Sequence, residues 1–327
     1  MDNKTRILSL LKEHADRWLS GEELSDTLGL SRTAVWKYVQ TLRGEGYAIE
    51  SSTKKGYLLT ERPDVLSIAE VGDILNTKVF GVAGYHYLQE TGSTNHEAAV
   101  LADQGAPEGT IVIAERQTRG RGRRERNWYS PAGKNIYFSL ILRPSISPAQ
   151  APKLTLLAAV AAAETLSVLT GLDVRIKWPN DLLVGDRKIA GILTEMSAGM
   201  EAVNHVIMGI GLNINTPPES FPDEIRDIAT SLRAETGGDF PRALVLGTLL
   251  ESLELYYHLF LSGGFPNILV RWKELSGIVG KKIQVNGVNS RVAGTVLDVD
   301  GDGVLLLKDD EGLVHRIFSG DVILPRR

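Results

Sequence analysis

The 327-residue chain has no cysteine, which excludes disulfides, thiolate nucleophiles and cysteine-ligated zinc or iron–sulfur centres, and is compatible with a reducing compartment. Any chemistry it performs runs without thiols. Long apolar runs are also missing. The most apolar candidate helix, Leu154 to Ala163, is bounded by Lys153 and Glu164 and is shorter than the ~20 residues that span a bilayer. Met1 to Leu11 carries Asp2, Lys4 and Arg6 in place of a signal peptide's apolar stretch. The expectation is a soluble, cytoplasmic protein with no membrane association. With 36 basic against 40 acidic residues the net charge is −4, which argues against general affinity for nucleic acid and leaves only a local basic surface for DNA.

Several signatures are absent as well. The six histidines show neither metal-ligand spacing nor a nucleophile partner, so no residue is assigned as a metal ligand. Gly120-x-Gly122 is followed by Glu125 where a dinucleotide fingerprint needs glycine, and Gly133-Lys134-Asn135 lacks the hydroxyl residue and upstream glycine of a P-loop. Asp298 to Gly303 opens like an EF-hand loop, but β-type residues flank it and Asp309 stands at position twelve, so it reads as a turn. Trp272 and the Leu/Tyr stripe from Leu249 to Leu261 read as core.

What is present divides into three textures, as the length suggests. Residues 1–64 are short, charge-rich helical patterns that end at Arg62-Pro63-Asp64. Residues 65–275 alternate helical patterns with apolar strands at 110–114, 135–142, 174–177, 189–196 and 206–214, an α/β or α+β arrangement. The Ala/Leu segment 152–169 reads as a buried helix capped by Gly171. Residues 276–327 hold short strands at 281–285, 291–297, 304–307 and 314–318 between Asn-Gly, Asp-Gly and Glu-Gly turns, a small barrel or sandwich.

In the first segment a short helix closes at Gly29 and Ser31 caps a second one, a helix-turn-helix pattern. Val35, Val39 and Leu42 form its core stripe, which leaves Ser31, Arg32, Thr33, Trp36 and Lys37 for DNA. Strands 47–51 and 56–59 flank Lys54 and Lys55, as in the wing of a winged helix. The charge is +3 over residues 32–56 but zero over residues 1–64, so positive charge gathers where phosphates would lie. A helical protein-interaction module is the alternative.

Five arginines stand among residues 119–126, interleaved with glycine. Glycine lets backbone approach a ligand and arginine clamps phosphate or carboxylate, although a mobile nucleic-acid-binding loop has the same composition. Further on, Lys177-Trp178-Pro179-Asn180-Asp181 leads into a hairpin over Gly185-Asp186. Lys177, Asn180, Asp181 and Lys188 then sit beside tight turns where side chains can converge, and Gly191 leaves room inside a strand. A plain turn with a solvated Lys188 is the alternative.

Glu90 to Asn95, Gln117 with Gly120 to Arg124 and Trp128, Lys177 to Asp181, Arg187 to Leu193 and Gly209 to Asn213 together resemble the biotin–protein ligases. With the winged front and β tail, the chain is similar to their bifunctional ligase-repressor class. The resemblance implies a winged helix-turn-helix, a central mixed-sheet domain of the biotin/lipoate ligase type and a C-terminal SH3-like β-barrel. It implies ATP-dependent formation of biotinyl-5'-adenylate and transfer of biotin to a lysine of acetyl-CoA carboxylase's biotin carrier protein. Biotin-responsive repression at operator DNA by a homodimer would accompany this activity.

By that resemblance Ser93, Thr94 and Gln117 hydrogen-bond the ureido ring, while Trp128, Gly120, Gly191, Gly209 and Gly211 shape the apolar slot. Lys188, Arg121 and Arg123 reach the biotin carboxylate and, with Lys177 and Asp181, form the catalytic set. Arg121, Arg124, Asn180 and Asn213 serve ATP, accompanied by Mg2+. A carboxylate approaching a triphosphate is repelled, so cations there serve both binding and catalysis. Two departures stand out: Glu125 occupies a position where relatives carry glycine, and Phe221 is the sole aromatic candidate to cover adenine between Asn215 and Ser231.

Overall fold

The computed structural model describes residues 2–200, 202–287 and 291–323. The chain forms two compact units, Met1–Val65 and Leu66–Arg327. In the first, α1 (Asn3–Glu13), α2 (Gly21–Leu28) and α3 (Arg32–Gly44) precede the hairpin β1 (Ala48–Ser52) and β2 (Gly56–Glu61). Ser20 and Ser31 cap α2 and α3 by accepting from Glu23 N and Ala34 N, and Gly29 closes α2 in the left-handed conformation. Ile7, Val35, Val39 and Leu42 are fully buried between the helices. At Gly56, φ is +101° and a Cβ would lie 2.0 Å from Leu19 O, so only glycine lets the wing pair with the backbone at Leu19.

The second unit runs through α4 (Ile68–Val71), β3 (Tyr85–Leu88), α5 (Thr94–Asp103), β4 (Ile111–Ala114), β5 (Ile136–Leu142), α6 (Pro152–Thr170), β6 (Val174–Lys177), β7 (Asp181–Val184), β8 (Arg187–Ala198) and β9 (Val203–Leu212). Helices α7 (Asp223–Arg226), α8 (Leu232–Thr236), α9 (Arg242–Leu261) and α10 (Phe265–Ser276) follow, then strands β10 (Lys282–Asn286), β11 (Arg291–Val299), β12 (Leu305–Lys308), β13 (Val314–Ile317) and β14 (Asp321–Ile323). The central sheet has the order β3-β4-β5-β9-β8-β7-β6, with β3 parallel to β4 and every other pair antiparallel. The last five strands form an antiparallel sheet in the order β13-β12-β11-β10-β14. The mixed sheet and the small β tail are those the sequence implies; β3 and β14 are additional.

Strand alternation sorts the central sheet into two faces. Phe138, Leu140, Met208 and Ile210 turn to the face covered by α6, α9 and α10, and they share one core with Leu157, Leu250 and Trp272. On the other face α5 covers only one end, where Ala98 and Ala102 pack on Val112, Ile141 and Ile207. The remainder of that face is open to the site described below. Helix α6 extends beyond the apolar run 154–163. Both Pro148–Thr170 and Arg242–Leu261 have the length and hydropathy of a bilayer-crossing helix, yet 61% and 50% of their apolar windows are buried inside this unit.

A buried ion pair ties the sheet to α9. Arg242 is 0% exposed and its Nη1 lies 2.7 Å from Glu115 Oε2 while donating to Asn135 O. Glu115 Oε1 accepts from Leu66 N and the Tyr87 hydroxyl. Removing one partner of such a pair strands the other charge, so Arg242→Met should lower the unfolding free energy by about 3–5 kcal/mol in urea titration. A change below about 1 kcal/mol, the range of ordinary surface substitutions, would contradict it.

Candidate ligand cavity and nucleic-acid surface

The open face carries glycine where its neighbours carry side chains. Gly191 of β8 pairs with Gly211 of β9, and Leu193 pairs with Gly209, which in turn pairs with Ser139 of β5. The resulting trough is the floor of a cavity, and its tolerances are close. A Cβ at Gly211 would lie 2.5 Å from Trp128 Nε1, and one at Gly209 would lie 1.9 Å from Asn95 Oδ1. Trp128 Nε1 is buried and finds no hydrogen-bond partner among the described residues.

One end of the cavity is polar and uncharged. Ser93, the N-cap residue of α5, is followed by Thr94 and Asn95, all nearly fully buried. Gln117 Oε1 accepts from Thr94 N at 2.9 Å and lies 3.2 Å from Thr94 Oγ1, so its Nε2 donates to Ser130 Oγ. Ser139 Oγ lies 2.6 Å from Asn95 Oδ1 and 2.8 Å from Thr94 Oγ1.

The other end is cationic. Lys188 Nζ sits 2.7 Å from Asp181 Oδ1 and 5.2 Å from the centre of the Trp128 ring. Simple alternation from Gly191 would send Lys188 to the opposite face. The pairing of β7 with β8 slips between Leu182 and Leu183, so that Ala190 and Lys188 oppose consecutive residues. This bulge turns Lys188 into the cavity and leaves Ile189 in the core, 0% exposed. Arg123 Nη1 donates to Asn180 Oδ1 at 3.1 Å, and burial pushes its guanidinium below the usual arginine value. Arg121 pairs with Glu195 at 2.9 Å.

The arginine loop folds back on itself as a hairpin, with Trp128 N donating to Gly120 O and Gly122 N to Arg126 O. Its tip carries two left-handed non-glycine residues, Arg124 (φ 54°) and Glu125 (φ 59°), a conformation that costs roughly 1–2 kcal/mol per residue. Glycine at position 125 would meet that backbone demand without the cost. The tip is anchored: Arg124 and Arg126 reach Asp321 Oδ2 at 3.1 and 2.5 Å, and Arg124 Nη2 donates to Asn286 O.

Most residues singled out from sequence meet here. Ser93, Thr94, Gln117, Arg121, Arg123, Trp128, Asn180, Lys188, Gly191, Gly209 and Gly211 line the cavity. Lys177, Asp181 and Asn213 line an adjoining recess that shares Arg123, Asn180, Trp128 and Lys188 with it. Phe221 and Tyr129 lie on that recess, their rings 6.3 Å apart, with Ile225 and Ile228. Gly120 and Arg124 are not brought to either space. Gly120 is needed because a Cβ would lie 2.5 Å from Trp128 O, and Arg124 is spent on the C-terminal sheet. Sequence reasoning misses Asn95, Ser139, Glu195 and Tyr129. Of these only Asn95 stands within a motif, while Glu195 breaks the apolar pattern of its strand.

In the first unit Ser31, Arg32, Thr33, Trp36 and Lys37 lie on the exposed face of α3, with Trp36 52% exposed, and Lys54 and Lys55 sit in the exposed β1–β2 turn. Arg32 pairs with Glu22 at 3.1 Å, and Lys55 Nζ lies 5.5 Å from the centre of the Trp18 ring.

Residues 87–213 match the Biotin/lipoate A/B protein ligase family, residues 3–58 an HTH domain and residues 278–324 the Biotin protein ligase C terminal domain. The chain is similar to the bifunctional ligase/repressor BirA of Bacillus subtilis, 42% identical over 97% of either chain. The Escherichia coli protein of that name is 30% identical over 93% of this chain and 92% of its own length. The biotin protein ligase from Aquifex aeolicus in complex with biotin and ATP superposes with a TM-score of 0.64 at 30% identity, over 75% of this chain and 99% of that one. The chain thus belongs to the biotin/lipoate A/B protein ligase family, in its bifunctional ligase/repressor branch.

Proposed function

We infer that this chain uses ATP to activate biotin as biotinyl-5'-adenylate, transfers biotin to a lysine of a carrier protein, and represses transcription through its N-terminal unit. The observation that supports this best is the polarity gradient along one glycine-floored cavity, neutral and amide-lined at Gln117 and cationic at Lys188. A ureido ring needs matched donors and acceptors without charge, a thiophane ring and valeryl chain need apolar walls, and the carboxylate needs cations. Ser93, Thr94 and Gln117 suit the first, Trp128 with Gly191, Gly209 and Gly211 the second, and Lys188, Arg121 and Arg123 the third. Asn180 and Asn213 face the nucleotide, whose adenine fits the apolar part of the recess at Phe221 and Tyr129.

Catalysis by these residues is positional and electrostatic. Lys188 and Arg123 offset the repulsion between biotin's carboxylate and the α-phosphate, and they stabilise the charge that gathers there during displacement. Asp181 holds Lys188 in place. Biotin's carboxylate displaces pyrophosphate from the α-phosphate, and the acceptor lysine's amine then attacks the mixed anhydride directly, losing a proton and releasing AMP, consistent with a chain that has no cysteine. Magnesium would arrive with the triphosphate. Among the described residues no cluster of three or more His, Asp or Glu could hold a metal by itself, and Asp181 is the carboxylate paired with Lys188, a set that suits an ion carried mainly by phosphates.

We place the domain limits near residues 64 and 275, the location in the cytoplasm, and the acceptor in the carrier protein of acetyl-CoA carboxylase. We further propose a homodimer that presents two winged helices to a palindromic operator, since two linked half-sites bind far more tightly than one.

Biotin- and ATP-dependent labelling of a purified carrier domain tests the enzyme. Lys188→Ala should reduce turnover by about 100- to 1000-fold while biotin still binds, and excess lipoate should not compete. Labelling unaffected by the substitution would remove Lys188 from the mechanism. Gly211→Ala forces the Trp128 ring away from the floor, an overpacking of about 1–3 kcal/mol, and calorimetric titration should show biotin affinity falling by at least about fivefold. Operator affinity should rise when biotin and ATP are both present; equal affinity in gel-shift assays with and without them would sink the coupled repressor.

A further inference from the structure

Glu195 on β8 does not line the cavity, yet its carboxylate grips two residues that do. Oε2 accepts from Asn95 Nδ2 at 2.7 Å. The same group faces Arg121 end-on, with Nη2 at 2.9 Å from Oε1 and Nη1 at 3.4 Å from Oε2.

Each grip has a consequence for the cavity. An ionised carboxylate can only accept, as can the Leu193 carbonyl 3.3 Å from the same nitrogen, so Asn95 turns its Nδ2 to Glu195 and Leu193 O and its Oδ1 inward to Ser139. Asn95 Oδ1 takes the single Ser139 proton, and the Ser139 lone pairs face Thr94 Oγ1 at 2.8 Å. Hydrogen-bond direction at the uncharged end is therefore set from outside the cavity. At the cationic end, Arg121 is held in the two-point geometry that any carboxylate would reproduce. The side chains of Arg121 and Glu195 are 53% and 36% exposed, so the pair is weak enough to exchange partners.

We propose that Glu195 is a positioning residue with two tasks: it fixes the direction of the Asn95–Ser139–Thr94 hydrogen bonds, and it occupies Arg121 until the carboxylate of biotin displaces it. The contact with Asn95 persists after displacement, so one side chain reports on both ends of the ligand. This rests on the reading of the cavity as a biotin site.

Calorimetric titration of the full-length chain with biotin and with the uncharged biotinamide separates the tasks. Glu195→Gln keeps an oxygen for Asn95 but gives up the charge that competes for Arg121. It should bind biotin about two- to fivefold more tightly and biotinamide as wild type does. Glu195→Ala also gives up the acceptor and should bind biotinamide more weakly. Unchanged or weakened biotin binding by Glu195→Gln overturns the displacement, and wild-type biotinamide affinity in Glu195→Ala overturns the directional role. Should Glu195→Ala fail to fold, the directional role is read from Glu195→Asp, whose shorter side chain withdraws the acceptor and should likewise weaken biotinamide. Wild-type protein that binds neither compound would overturn the functional reading itself, whereas wild-type binding with both variants unchanged overturns only the assignment of Glu195.

Discussion

A missing atom governs this molecule: a Cβ at Gly209 or Gly211 on the open face of the central sheet would collide with Asn95 or Trp128, and one at Gly191 would crowd Lys188 and Trp128. With those positions bare, Trp128 settles onto β9 and Asn95 swings against Gly209. The opposite face of the same strands carries Phe138, Met208 and Ile210 into the core. One face therefore supplies cohesion while the other supplies a slot, and strand alternation keeps the two from interfering. Because the floor is backbone in a seven-stranded sheet, the slot is held by the stiffest part of the unit.

The walls are less secure and depend on charge. The arginine loop is strained at Arg124 and Glu125, and it keeps its shape through contacts at separate points: Arg121 on Glu195, Arg123 on Asn180, and Arg124 and Arg126 on Asp321. These partners come from β8, the β6–β7 turn and β14. The C-terminal sheet thereby takes part in shaping a cavity whose floor it does not touch. The half-exposed pair of Arg121 with Glu195 is individually worth little.

Deeper inside, the Glu115–Arg242 pair connects β4, which leads directly to Gln117, with α9, with Asn135 and with Leu66 at the start of the unit. Asn135 Oδ1 in turn accepts from Ile214 N beside Asn213. Gln117 at the uncharged end of the cavity and Asn213 in the adjoining recess are thus braced by one buried polar network. Such networks fix a single arrangement when every member is satisfied.

Residue order alone specifies the three textures, the helix caps at Ser31, Gly29 and Gly171, the buried character of α6, and the motif residues that gather at the cavity. All of these rest on local chemistry: periodicity, capping and turn residues act over a few positions and can be read there. Which face each motif residue uses is settled by packing. The bulge beside Ile189 turns Lys188 into the cavity against the alternation of its own strand, and a bulge depends on the partner strand. The same holds for Gly120 and Arg124, which share a motif with cavity residues but serve hairpin closure and the C-terminal sheet. Glu195 shows in the sequence only as a charge within an apolar strand and Asp321 not at all, because a carboxylate acquires its role from the arginine that folding brings to it.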